Sequence, residues 1–234
     1  MIENDEMKEV YQRLLAGTLM EAEADNLFVQ TQSLETLMTM YQCAITKLCA
    51  RIDVVKAEYE IKHHRNPVEY VETRIKKPLH ILEKLNRKGY DFSLESIVYN
   101  LNDVAGIRLV CSFLDDIYQV ADMILHDETF KLVERVDYIK SPKASGYRSL
   151  HLIIEVPIIF SDVVQKMKVE VQLRTMAMDF WATLEHQIYY KKEISDADKK
   201  IATELKECAD VIYETDRRMH AIREKLNELT EPKG

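Results

Sequence analysis

Residues 138–151 read Tyr-Ile-Lys-Ser-Pro-Lys-Ala-Ser-Gly-Tyr-Arg-Ser-Leu-His. A strand-like run, 130–136, leads in and a second, 148–156, leads out, which makes the stretch a loop between two strands. Ser141-Pro142 and Ser145-Gly146 break the extended pattern, and Lys140, Lys143 and Arg148 gather around Tyr147 with no acidic residue from Tyr138 to His151. A cationic, backbone-permissive loop suits a polyphosphate, and an adjacent aromatic ring suits a nucleobase. The competing reading is an ordinary hairpin loop with solvated lysines.

Outward from the loop, Leu150, Leu152, Ile154 and Val156 face one way while Ser149, His151 and Glu155 face the other. The next strand is clearer: Met167, Val169, Val171 and Leu173 alternate with Lys168, Glu170, Gln172 and Arg174. Its polar face carries a carboxylate, an amide and a guanidinium in register. That pattern fits either the wet side of a half-exposed sheet or a metal-nucleotide site. A helix then runs from Met176 to Tyr190, with Phe180, Trp181, Leu184 and Ile188 expected toward the core and Glu185 and His186 near its middle.

Upstream, Leu34, Met38, Tyr41, Ile45, Leu48, Ile52, Val55 and Tyr59 step by four and three, the seam of a long amphipathic helix that Asn66-Pro67 ends. In Val71-Glu-Thr-Arg-Ile-Lys a short strand presents Arg74 and Lys76 on one side. Pro78 opens a helix carrying Ile81, Leu82, Lys84 and Leu85, and Gly89 ends it. Asp103-Val-Ala-Gly-Ile-Arg-Leu-Val-Cys is a strand with an acid at its entrance; Asp103 and Arg108 have opposite parity, so either Gly106 forms a bulge or Asp103 precedes the strand proper. Ile117, Val120, Ala121, Ile124 and Leu125 form a helix covering the sheet. Val10, Leu14 and Leu15 suggest a short helix in an acidic segment of no evident role. At the other end Ile201, Leu205, Cys208, Ile212, Thr215, Met219, Ile222, Leu226 and Leu229 keep a coiled-coil spacing, which favours self-association over a helix folded back on its own domain.

The chain therefore reads as α+β: a mixed β-sheet of about five strands with a nucleotide cleft on one face, helices packed around it, and long N- and C-terminal helices for oligomerisation. Expected divisions are an acidic segment 1–33, the long helix 34–66, a core 67–192 and the C-terminal helix 193–234. The 234 residues suffice for a sizeable core. Cys43, Cys49, Cys111 and Cys208 lack metal-ligand spacing, and the chain has neither a leader pattern nor an uninterrupted apolar span, so a cytoplasmic protein with no membrane partner is expected. A net charge of −8 argues against a general nucleic-acid binder. An anionic ligand responds to local charge, however, because charges beyond roughly 8–10 Å are screened at physiological salt. From Arg74 to Lys88 there are six cations (Arg74, Lys76, Lys77, Lys84, Arg87, Lys88) against Glu83.

Four ordered stretches carry a resemblance: Thr73-Arg-Ile-Lys-Lys-Pro, Asp103-Val-Ala-Gly-Ile-Arg, residues 138–151, and Glu170-Val-Gln-Leu-Arg-Thr followed by Phe180-Trp-Ala-Thr-Leu-Glu-His. They resemble the synthetase domain of the RelA/SpoT family of alarmone synthetases, over residues 35–230, and the length is like that of the small single-domain members. The resemblance implies transfer of the β,γ-pyrophosphate of ATP to the ribose 3′-OH of GTP, GDP or GMP, with release of AMP. It implies that Asp103 and Glu170 hold Mg²⁺ and act catalytically, with Glu170 also able to accept the 3′-OH proton. Arg74 and Arg108 would sandwich the adenine and Lys76 and Lys84 would meet the ATP phosphates. Tyr147 would stack on guanine, Lys140, Lys143 and Arg148 would lie near the acceptor's phosphates, and Ser145, His151, Gln172 and His186 would complete the acceptor site. Arg174 would orient Glu170. A tetramer is the family expectation.

Two departures stand out. Ser145 occupies a position where many relatives carry Asn, and neither His63-His64 nor His126-Asp127 supplies the His-Asp metal site of the long relatives' hydrolase domain. A synthetase without hydrolase activity is expected. The alternatives are a related pyrophosphokinase acting on the 3′ end of tRNA, disfavoured by the acidic balance, and a nucleotide-sensing or RNA-binding module, disfavoured by the paired Asp103 and Glu170.

Overall fold

The N-terminal seam decides where the first long helix goes. In the computed structural model, which describes residues 21–160, 162–189 and 196–230, α1 spans Glu21–His63, and Met38, Tyr41, Ile45, Leu48, Ile52, Val55 and Tyr59 are all buried within the chain. That seam is occupied by the protein's own core, so the apolar face that suggested a partner helix is satisfied in one chain. The short helix expected around Val10, Leu14 and Leu15 lies outside the described residues.

After α1 come β1 (Val68–Ile75), α2 (Pro78–Lys88), α3 (Leu94–Asn100), β2 (Ala105–Cys111), α4 (Leu114–Leu125), β3 (Lys131–Asp137), β4 (Leu150–Phe160), β5 (Val163–Thr175), α5 (Met176–Tyr189) and α6 (Asp196–Thr230). The strands form one mixed sheet in the order β1-β2-β5-β4-β3. The α+β class and the five strands agree with the sequence pattern. α3 was not anticipated; its signal is local, with Ser93 as N-cap accepting from the Ser96 N–H and Glu95 in the first turn.

The described residues within 1–48, 73–106 and 155–170 form one compact unit, and those within 49–72, 107–154 and 171–234 form a second interleaved with it. In the first, Ile81 and Leu85 of α2 are buried together with Met167 and Val169 of β5, and α2 is closed by Gly89 in the left-handed region (φ +70°). In the second, Ile117, Val120, Ala121 and Ile124 of α4 are fully buried, as are Leu150, Leu152 and Ile154 of β4 and Val171 and Leu173 of β5. No helix among the described residues is long and apolar enough to cross a membrane.

The α5 expectation needs correction. Trp181 is buried, but Phe180, Leu184 and Ile188 are exposed. At 100° per residue the latter three share a stripe, whereas Met178, Trp181 and Ala182 lie on the face that stays covered. Trp181 and Ala182 meet Ala209 of α6, and the Trp181 Nε1–H donates to the Leu205 carbonyl (2.9 Å). The α6 seam divides similarly: Leu205 and Ile212 pack inward, while Ile201, Met219, Ile222, Leu226 and Leu229 are exposed.

Candidate functional site

In the first unit the site is built around Asp103. β2 begins only at Ala105, so Asp103 precedes the strand, which resolves the parity question without a bulge. β1 ends at Ile75, and the Lys76 backbone N–H donates to the Val104 carbonyl (2.8 Å), pinning Lys76 beside that turn. Lys76 Nζ lies 2.5 Å from Asp103 Oδ2, and Lys84 Nζ, carried by α2, lies 2.6 Å from Oδ1. Burial pushes the Asp103 carboxyl up, but the hydrogen bonds and charges of the two lysines outweigh it and hold the group below the usual carboxylate range. For Lys76 burial wins over Asp103, and its pKa is lowered.

Glu170, on the polar face of β5, is paired with Arg74 Nη2 at 3.7 Å. Gly106 explains how Arg74 lies there: a Cβ at Gly106 would stand 3.2 Å from Arg74 Nε and 3.4 Å from its Cγ. Glycine at 106 thus makes room for a side chain instead of bending a strand. Asp103 and Glu170 are both largely buried carboxylates offering hard oxygen donors, the set that Mg²⁺ prefers.

In the second unit a polar chain runs through the remaining strand and loop residues. Arg174 on β5 donates to Asp179 Oδ1 (2.8 Å), to the Tyr147 hydroxyl (2.6 Å) and to Gln172 Oε1 (2.9 Å). The Tyr147 hydroxyl and His151 Nε2 share a hydrogen bond of 2.9 Å, and Tyr138 packs edge-on against the His151 ring. Lys143 Nζ sits 4.7 Å from the centroids of both Tyr138 and Tyr147. Tyr147, His151, Gln172 and Arg174 are therefore brought together, with Lys143 over the aromatic pair. Arg108 is held at its edges, Nη1 3.0 Å from Glu72 Oε2 and Nε 3.5 Å from Asp179 Oδ1.

Other expected residues are placed differently. Arg148 is largely buried and turned onto α6, bonding to Asp210 (2.9 Å) with its guanidinium 4.1 Å from the Tyr213 ring centroid. Lys140 is exposed and returns to Asp137 (3.7 Å) and the Tyr118 ring. Ser145 Oγ accepts from the Tyr147 N–H at 3.4 Å, a turn contact, and His186 is exposed on α5. Gly146 has φ +93°, and a Cβ there would stand 2.7 Å from Ala209 Cβ, so the loop lies directly on α6.

The sequence reading missed Asp179, Tyr70 and Asp137. Tyr70 donates to Asp179 Oδ2 (2.7 Å), and Asp137 Oδ1 accepts from the Ile139 and Lys140 N–H groups to start the loop. An acid in the first turn of α5, five residues past Arg174, was the available signal, but such acids also serve helix ends generally. A separate group with metal-ligand spacing, Asp115, His220 and Glu224, has Arg223 donating to both carboxylates at 2.7 Å, which neutralises the charge a cation would need.

Residues 73–195 match a region found in RelA/SpoT proteins. The GTP pyrophosphokinase YwaC of Bacillus subtilis is 38% identical over 203 residues, covering 87% of this chain and 96% of the relative. The crystal structure of small alarmone synthetase 1 from Bacillus subtilis bound to its product pppGpp superposes with TM-score 0.74 at 33% identity, covering 84% of this chain and 99% of that one. The same enzyme bound to AMPCPP gives 0.69 at 32% identity, covering 84% and 99%. With the family match spanning more than half of the chain, and with relatives of this kind covered over most of their length, the chain belongs to the RelA/SpoT family and groups with its small alarmone synthetases.

Proposed function

We propose that this protein is a GTP pyrophosphokinase that transfers the β,γ-pyrophosphate of ATP to the ribose 3′-OH of GTP or GDP, making pppGpp or ppGpp, with GMP as a further acceptor giving pGpp. The observation that carries this reading is the pairing of two carboxylates with family-matched cations: Asp103 with Lys76 and Lys84, and Glu170 with Arg74. In the reaction the acceptor 3′-oxygen bonds to the β-phosphorus. The bond from that phosphorus to the α,β-bridging oxygen breaks, and its electron pair leaves on AMP. Such a transfer is driven by positioning and charge neutralisation more than by covalent chemistry.

Asp103 and Glu170 would hold Mg²⁺, which when bound supplies charge neutralisation at the phosphoryl oxygens. Lys76 and Lys84, two cations already gathered on one carboxylate, would exchange it for the ATP phosphates. A cation 4 Å from a phosphate at an effective dielectric of ~20 is worth on the order of 4 kcal/mol before desolvation. Glu170 accepts the 3′-OH proton. Arg74 and Arg108 offer planar faces to adenine, which lysine cannot do. Tyr147, oriented through its hydroxyl by Arg174 and His151, stacks on guanine beside Gln172. Lys143, parked over the Tyr138 and Tyr147 rings, moves to the acceptor's phosphates when a base takes its place. His186 and Ser145 line the acceptor side, and Lys140 and Arg148 reach it only by leaving Asp137 and Asp210.

The test is incubation of the protein with ATP, Mg²⁺ and GTP, GDP or GMP separately, resolved by anion exchange. A guanosine product carrying more phosphates than its acceptor is expected, with no loss of added product on prolonged incubation, since no hydrolase activity is proposed. Folded protein that consumes ATP without altering any guanosine nucleotide would refute the assignment.

A further inference from the structure

Asp179 is a buried carboxylate at the start of α5, 6% exposed, and three groups from three strands converge on it. Arg174 of β5 donates to Oδ1 at 2.8 Å, Arg108 of β2 places Nε 3.5 Å from the same oxygen, and Tyr70 of β1 donates to Oδ2 at 2.7 Å. We infer that Asp179 is a positioning residue for both nucleotides, holding Arg108 against the adenine of the donor and, through Arg174, holding Tyr147 and Gln172 against the guanine of the acceptor. This inference rests on the pyrophosphokinase reading above.

The geometry of each arm supports it. Among the described residues the ion pairs of Arg108, to Glu72 and Asp179, meet its edges, and its Nε is buried with no hydrogen bond of its own, so the ionic contact to Asp179 fixes the plane while leaving its faces as the stacking surface. Arg174 is almost fully buried, and a guanidinium there needs a carboxylate partner. With one nitrogen anchored on Asp179, its other terminal nitrogen reaches Tyr147 and Gln172 together. Rotation of Arg174 about its anchor would therefore move the stacking ring and the amide in concert. Tyr70 completes the set. Burial and then its bond to Asp179 push its pKa to about 12, so it stays a donor at working pH.

A residue that only supports the fold would lower stability and leave substrate affinity alone. The comparison is between Asp179→Asn and Asp116→Asn, the latter removing a buried carboxylate on α4 whose partners, Arg65 and Tyr59, take no part in the proposed chemistry. Both variants of the full chain are expected to melt earlier. Asp179→Asn should raise the KM for ATP and for GDP each by about fivefold or more, as expected when planar stacking groups lose their anchor. Asp116→Asn should leave both within about twofold, the range of a change remote from the substrates. Unchanged KM values in Asp179→Asn, or a rise for one nucleotide alone, would overturn the inference. Should Asp179→Asn fail to fold, Tyr70→Phe removes one anchor of the carboxylate without its charge; a parallel rise in both KM values supports the inference and no rise overturns it. If the unaltered protein makes no guanosine product, the pyrophosphokinase reading falls by itself. The melting-temperature shifts produced by GDP and by AMPCPP then decide on Asp179, their joint loss in the variant supporting it and their retention overturning it.

Discussion

At the scale of single residues, the donor side is a set of opposed charges waiting to be exchanged. Asp103 is neutralised by two lysines, so a divalent cation arriving without nucleotide must displace them. Free metal should accordingly bind the wild type weakly and Lys84→Met more tightly, read by the loss of free Mn²⁺ signal in a spin-resonance titration; equal affinities would contradict the exchange. Asp103 also predicts a pH dependence. Its folded-state pKa lies below the unfolded value of about 3.9, so its contribution to stability is fully present above that value and is lost as pH falls through the lowered one. In urea unfolding the deficit of Asp103→Asn should be constant above about pH 5 and shrink below about pH 4. Glu170→Gln, which keeps size and polarity but cannot take a proton, should retain the fold and lose about 10²-fold or more in turnover. Near-normal turnover would remove Glu170 from the chemistry.

At the scale of elements, the loop that dominated the sequence is fixed by a helix far from it in the chain. Gly146 is left-handed and its Cα faces Ala209, while Arg148 is locked between Asp210 and Tyr213 of α6. Gly146→Ala should destabilise by about 1–3 kcal/mol, from backbone strain and overpacking, and should raise the KM for the guanosine acceptor more than that for ATP. Thermal unfolding with paired KM measurements checks both. The elements themselves were largely legible, because strict period-two alternation in β5, and Pro78 with Gly89 at the ends of α2, leave little choice of structure. What alternation and composition could not reveal was long-range pairing. Arg148 looks like a phosphate ligand in its loop until α6 brings Asp210, and Asp179 looks like an ordinary helix-start acid until three strands deliver Tyr70, Arg108 and Arg174. α5 misled for a related reason: its apolar residues fill two stripes, and nothing local tells which stripe the chain covers.

At the scale of the whole molecule, an acidic chain places two groups of cations for its nucleotides and pairs five of them, Arg74, Lys76, Lys84, Lys140 and Arg148, with carboxylates already present. Nucleotide binding should therefore weaken with salt less steeply than for a basic protein of this size, since many of its cations are internally paired. The exposed part of the α6 seam, Met219, Ile222, Leu226 and Leu229, remains the basis for proposing a homo-oligomer, a tetramer by family resemblance. Light scattering on the wild type and on a Met219→Asp, Ile222→Asp double variant should give a larger mass for the former; equal monomeric masses would contradict it.

The bond that moves in the proposed transfer is followed with ATP labelled at the γ-phosphorus in the presence of GDP and Mg²⁺. The label is expected in a guanosine product two phosphates richer than its acceptor, with one AMP formed per product. Label retained on inorganic phosphate, or transferred with ADP as the co-product, would contradict it.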